Sequence, residues 1–183
     1  VHDARAPIAA AHAAPSRFIP HVHEHAFTVN APLTRCWRWL NTPETFTRGQ
    51  LPGFRVEFVD PHGGPGDFRV GVLNAHVGPG LVAAGVLTRV DNPALAPRLT
   101  RELAYFYGSY VLSGRLIRPT RLVITAEAVT DANGASPTPR TRVLVRVDAL
   151  VHRRWAWLAT RGQRLFWPTF AWTMRHAVRG TAA

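Results

Sequence analysis

The sequence contains no lysine: all 22 of its basic residues are arginine. A surface selected to bind phosphate ordinarily uses both residues, so this pattern reads as codon bias in a GC-rich genome. Acidic residues are also scarce, 11 in all, which leaves a formal charge of +11. That field attracts nucleic acid or anionic membrane nonspecifically. The arginines are scattered rather than run together, and no specific nucleic-acid partner is expected. Cys36 is the one cysteine, which excludes an intrachain disulfide and suits a reducing compartment. Set between Arg35 and Trp37 in an amphipathic segment, it reads as a small buried core residue rather than a nucleophile. No apolar run approaches the roughly 18 residues of a membrane span, and the short run Ile8–Ala14, interrupted by His12, is not a signal peptide. A soluble, cytoplasmic protein is expected. The glycine-rich stretches His62–Gly66 and Gly78–Gly80 lack a following Lys-Ser/Thr, so neither is a phosphate loop. No Gly-x-Ser-x-Gly elbow occurs, and nucleophilic hydrolysis has no support.

What is present is an ordinary globular composition, 46% hydrophobic and 18% charged, over 183 residues. This length suits one domain with a sizeable core. The stretch Val1–Ser16, rich in alanine and proline, reads as a mobile leader. The expected organisation is therefore a flexible leader over 1–20 and a single domain over 21–178.

Periodicity predicts the elements. Residues His21–Val29 alternate, with Phe27 and Val29 on one side and Glu24 and Thr28 on the other, as in a half-exposed strand. Pro32 is well placed to open a helix, and Leu33, Cys36, Trp37 and Leu40 share one face of it. A second short helix is predicted over Glu44–Arg48. Strands follow at Phe54–Phe58, Phe68–Val77, Leu81–Val90, Leu99–Leu112, Arg115–Val129, bent or interrupted near Pro119, and Arg142–Val151. A polar hairpin tip at Asp131–Pro139 separates the last two. Tight turns between neighbours imply antiparallel pairing. Val143, Val145, Val147, Ala149 and Val151 form the clearest period-two face in the chain. A long helix, Trp155–Ala177, closes it, with Trp155, Leu158, Ala159, Gly162, Leu165, Phe166, Thr169, Thr173 and Ala177 on one stripe and Arg161, Arg164 and Arg175 opposite.

The order strand, two helices, a run of antiparallel strands and a long helix resembles the helix-grip fold of the START/SRPBCC superfamily. That superfamily includes polyketide cyclases/dehydratases, coenzyme Q-binding proteins, plant pathogenesis-related allergens and lipid-transfer domains. The local likeness is best over residues 27–43, where an apolar strand end leads through Ala31-Pro32 into a tryptophan-bearing helix with a small polar stop. The resemblance implies an α+β fold in which a curved antiparallel sheet wraps around a long C-terminal helix, with two short helices after the first strand. It also implies a deep cavity between sheet and C-terminal helix that takes a small hydrophobic or aromatic molecule, such as a lipid, polyketide or isoprenoid. No catalytic motif spans the superfamily, so no catalytic residue is carried over.

The residues themselves nominate the site. Face assignments put Phe58, Tyr105, Tyr107, Val147, Phe166 and Phe170 around the cavity. Asn74 and His76, on one strand face with Phe68, Val70 and Val72, supply its polarity. His76, Tyr105 and Tyr107 are the candidates for catalysis, since an imidazole or a phenol in an apolar cavity can donate, accept or move a proton. Gly162 on the helix stripe either permits close packing or leaves room for a ligand. A one-residue bulge near Gly108 would reverse the faces of the aromatic strand. Arg115, Arg118 and Arg121 read as a solvated rim. His21, His23 and His25 share a strand face, but their spacing suits surface histidines better than a zinc site, and neither metal nor cofactor is expected. Three functions follow: a hydrophobic-ligand binding protein, a cyclase/dehydratase-like enzyme whose histidine or tyrosine faces inward, or a ligand-free interaction module with a filled core. The oligomeric state is not legible.

Overall fold

The computed structural model describes residues 16–47, 54–62, 68–94, 96–110, 115–129 and 139–179. The predicted leader, the Pro52-Gly53 turn, most of the His62–Gly66 loop and the hairpin tip lie largely or wholly outside them. In chain order the elements are β1 (Phe18–Val29), α1 (Leu33–Leu40), α2 (Pro43–Thr47), β2 (Arg55–Val59), β3 (Leu73–Gly78), β4 (Leu81–Val90), β5 (Arg98–Tyr110), β6 (Ile117–Val129), β7 (Arg140–His152), a single 3-10 turn, and α3 (Ala156–Arg179). The seven strands form one antiparallel sheet in the order β1-β7-β6-β5-β4-β3-β2. This is the expected helix-grip arrangement: a curved sheet, two short helices after the first strand, and one long helix across the inner face.

The inner face of β7 is the continuous apolar ridge that the period-two pattern requires, with Val143, Val145 and Val151 fully buried and Val147 and Ala149 nearly so. β1 lies along it from Phe18 opposite His152 to Val29 opposite Thr141. The strand therefore begins three residues before the predicted boundary at His21. Pro32 caps α1 in extended geometry and Cys36, Trp37 and Leu40 face inward. Thr141 donates its hydroxyl to the carbonyl of Ala31 at 2.8 Å, tying the strand-to-helix corner to the sheet. Burial pushes the Cys36 thiol up, so it stays protonated within the core.

Two expectations about local structure are corrected. The strand predicted from Phe68 starts only at Leu73, because Gly71 adopts φ +94, a left-handed conformation that glycine takes without steric cost. Val70 consequently points outward, 60% exposed. The second correction is the rotation of α3. Leu165, placed on the buried stripe, is 75% exposed, while the buried residues are Ala159, Trp167, Phe170, Ala171, Met174 and Val178. Over the C-terminal half the buried line runs one residue beyond the predicted one: Phe170 replaces Thr169, Met174 replaces Thr173, Val178 replaces Ala177. Apolar area decides this rotation, since larger apolar side chains gain more by leaving water than threonine or alanine does. Phe170 packs edge-on against Phe27, Trp39 and Trp167.

Candidate functional site

Between the inner face of the sheet and the first half of α3 lies a cavity of about 510 Å³. Its walls are mainly apolar, with Phe58, Phe68, Leu103, Val147, Phe166 and Phe170 among them. Helix α3 contributes Leu158, Ala159, Gly162 and Phe166 of the predicted stripe, whereas Trp155, at its start, is 38% exposed and is not part of the wall. A β-carbon on Gly162 would meet nothing within 4 Å. The small residue leaves volume to the cavity rather than allowing close helix packing.

The polar groups sit among these apolar walls. His76, from β3, has its Nε2 3.4 Å from the Tyr105 hydroxyl of β5, with the rings edge-to-face at 5.5 Å. Burial, reinforced by the positive charge of Arg101, pushes the imidazole pKa down to about 4, so the ring is neutral near pH 7. Arg101, also from β5, is 2% exposed and lines the same cavity. Its guanidinium lies over the rings of Phe46 and Phe68, 4.8 and 4.6 Å from their centroids. One terminal nitrogen donates to the carbonyl of Leu40 at the end of α1, while Nε is buried without a hydrogen-bond partner. Burial pulls the Arg101 pKa down to about 9, which still leaves it cationic at neutral pH.

The structure brings Phe58, His76, Tyr105, Val147, Gly162, Phe166 and Phe170 to one cavity. It does not bring Tyr107 there. The register of β4 with β5 passes from Gly85 opposite Tyr105 to Ala84 opposite Tyr107, so Phe106 is an extra residue and the two tyrosines face opposite ways. Tyr105 is buried, whereas Tyr107 is 42% exposed and stacks with Arg115 outside. Gly85 makes the bulge possible: a β-carbon there would lie 2.5 Å from the carbonyl oxygen of Ala104. Asn74 is buried against the neighbouring core but is not part of the cavity wall, and both its amide atoms lack hydrogen-bond partners among the described residues. It shares a face of β3 with His76 but lies in the core behind the cavity wall.

His21, His23 and His25, expected at the surface, share the inner face of β1 with Phe27 and Val29 and are only partly exposed. Burial lowers the pKa of all three. For His23 the neighbouring histidines and Arg164 add to this, and for His25 Arg175 does. Among the described residues no group of three His, Cys, Asp or Glu side chains is placed to hold a metal ion. Arg101 was missed altogether. The signal was nonetheless present, since Leu99, Arg101, Leu103 and Tyr105 alternate on one face of β5, and a cation inside an apolar stripe is the anomaly that marks a site.

No family model matches the chain, and no curated protein matches it either. Solved structures do. Norcoclaurine synthase from Thalictrum flavum, determined in complex with dopamine and hydroxybenzaldehyde, superposes with a TM-score of 0.58 at 16% identity, covering 91% of each chain. A solution structure of a protein from Arthrobacter aurescens gives 0.54 at 14% identity, over 88% of this chain and 87% of that one. Ara h 8.0201 gives 0.51 at 11% identity, over 89% of this chain and all of its own. At such identities the likeness is one of fold, and the fold shared is the helix grip.

Proposed function

We propose that this protein belongs among the START/SRPBCC-type helix-grip proteins and binds a small hydrophobic or aromatic molecule in the cavity between sheet and α3. The observation that carries the reading is the cavity itself: about 510 Å³, walled by aromatic and branched aliphatic side chains, with a few convergent polar groups. Sites with this balance take drug-sized organic molecules, the apolar walls supplying affinity and the polar groups orientation. An interaction module with a filled core has no need of such a space. The likeness to a protein solved with dopamine and hydroxybenzaldehyde supports a ligand of aromatic class. No helix among the described residues is long and apolar enough to cross a membrane, and the reading places the protein in the cytoplasm.

A cyclase/dehydratase-like activity is the second reading, favoured by the contact between His76 and Tyr105. It is the weaker one. An imidazole whose conjugate acid has a pKa of about 4 is a poor proton acceptor at pH 7, and the pair is better suited to holding a ligand's polar end.

Titration with 1-anilinonaphthalene-8-sulfonate and with the uncharged dye Nile red tests the proposal. Wild type should bind Nile red with blue-shifted emission. Gly162→Leu, which projects into open space, should fold with an unchanged circular dichroism spectrum and lose that signal. Undiminished binding in the folded variant would put the site elsewhere. His76→Ala then separates the two readings: a binding protein loses affinity only, an enzyme loses turnover of its bound substrate.

A further inference from the structure

The cavity has a charged end that a purely hydrophobic ligand would not use. Arg101 lies within the apolar face of β5, with 2% of its surface exposed, and faces the ligand space. Burying a guanidinium is costly unless an anion meets it. Every carboxylate whose side chain the structure describes is engaged elsewhere: Glu24 and Asp148 with Arg146, Glu57 with Arg55, Asp60 with Arg69, Asp91 with Arg89, Glu102 with Arg121, and Glu127 with Arg98. The nearest of these in sequence, Glu102, points to the outer face, where Thr88 also donates to it. What Arg101 does receive is partial compensation: the Leu40 carbonyl at the negative end of α1 and the faces of two phenylalanine rings. These hold the guanidinium in place without neutralising it. Of the other basic groups that line the cavity, Arg55 is paired with Glu57 and His76 is neutral, so His76 opposes no anion and can hydrogen-bond one.

We infer that the ligand is an amphipathic acid, an aromatic or aliphatic body carrying one carboxylate, which pairs with Arg101 while its tail fills the apolar cavity toward Gly162 and Phe166. A carboxylate matches the planar fork of arginine better than a hydroxyl or carbonyl does, and forms charge-assisted hydrogen bonds with a guanidinium that no carboxylate among the described residues pairs. The inference rests on the cavity being the ligand site and adds the chemical class of its occupant.

Calorimetric titration at pH 7 with three probes that share one ring system, 2-naphthylacetate, 2-(2-naphthyl)ethanol and 2-(2-naphthyl)ethylammonium, separates the two claims. The acid should bind about ten- to a hundredfold more tightly than the alcohol, the margin of a charge-assisted hydrogen-bonded pair, and the amine most weakly. Arg101→Met should erase that preference, bringing the acid to the affinity of the alcohol. The carbon-bound proton resonances of His76 give a second measurement that needs no variant. The acid, by screening Arg101, should raise the His76 pKa from about 4, whereas the alcohol should leave it unmoved. Equal affinity of wild type for acid, alcohol and amine would overturn the acid assignment while leaving the hydrophobic site intact. Failure of all three to bind would overturn both.

Discussion

On the two faces of the sheet around β5, arginines stand in opposite settings. On the outer face Glu102 meets Arg121, itself 46% exposed, and Arg121 also approaches Asp148 on β7. One residue earlier, on the inner face, Arg101 has two aromatic rings and one carbonyl. Outside, water screens each ion pair and the pairing adds little to stability. Inside, a guanidinium with 2% of its surface exposed is held by groups without full charge. The difference teaches that abundance of arginine is uninformative in this chain. What distinguishes one arginine from the rest is the face of the strand it stands on.

Substitutions ordered by expected effect sharpen that contrast. The largest loss should come from the inner layer where it is fully packed: Met174→Ala, at a fully buried position on α3, should lower unfolding stability by about 2–5 kcal/mol in urea titration. A loss below 1 kcal/mol would mean that α3 does not close the core.

Acid should reveal the second effect. The folded-state pKa of His76 lies below its unfolded value because of burial and Arg101. The protonated form is therefore disfavoured in the native state. Its contribution is complete above about pH 6.5 and is lost as pH falls from there toward 4, on the order of 3 kcal/mol in all. The partly buried row His21, His23 and His25 acts in the same direction. Stability measured from pH 7.5 to 4 should fall, and the slope should flatten in His76→Phe. An unchanged slope would remove His76 as the principal acid-sensitive group.

The bulge comes next. Gly85→Ala drives a methyl group toward the Ala104 carbonyl and should cost about 1–3 kcal/mol, with ligand affinity falling as Tyr105 is displaced. Normal affinity in that variant would show that the bulge is not what turns Tyr105 inward. The smallest effect belongs to the outer face, where Arg121→Ala should change stability by less than about 1 kcal/mol, and less still in high salt. A larger loss would make the outer ladder a structural network rather than a screened one.

Much of the architecture was legible in the residues because it rests on local periodicity. The alternation of Val143–Val151, the Asn30-Ala31-Pro32 break before an amphipathic turn of helix, and the long final helix each follow from geometry that neighbouring residues impose on one another. Phe58, Val147, Phe166 and Phe170 could be assigned to the interior on the same grounds, as could Tyr105 and His76. Three features could not. The outward turn of Tyr107 depends on a bulge that forms against β4. The rotation of α3 depends on which side chains the sheet has room to cover. The pairing of the described carboxylates away from Arg101 depends on where each ends up after folding. Period and polarity act between residues a few positions apart, so the sequence by itself determined the elements and the faces they bury. Register, rotation and the lack of a counter-ion to Arg101 among the described residues are relations between distant segments, and only the tertiary structure decided them.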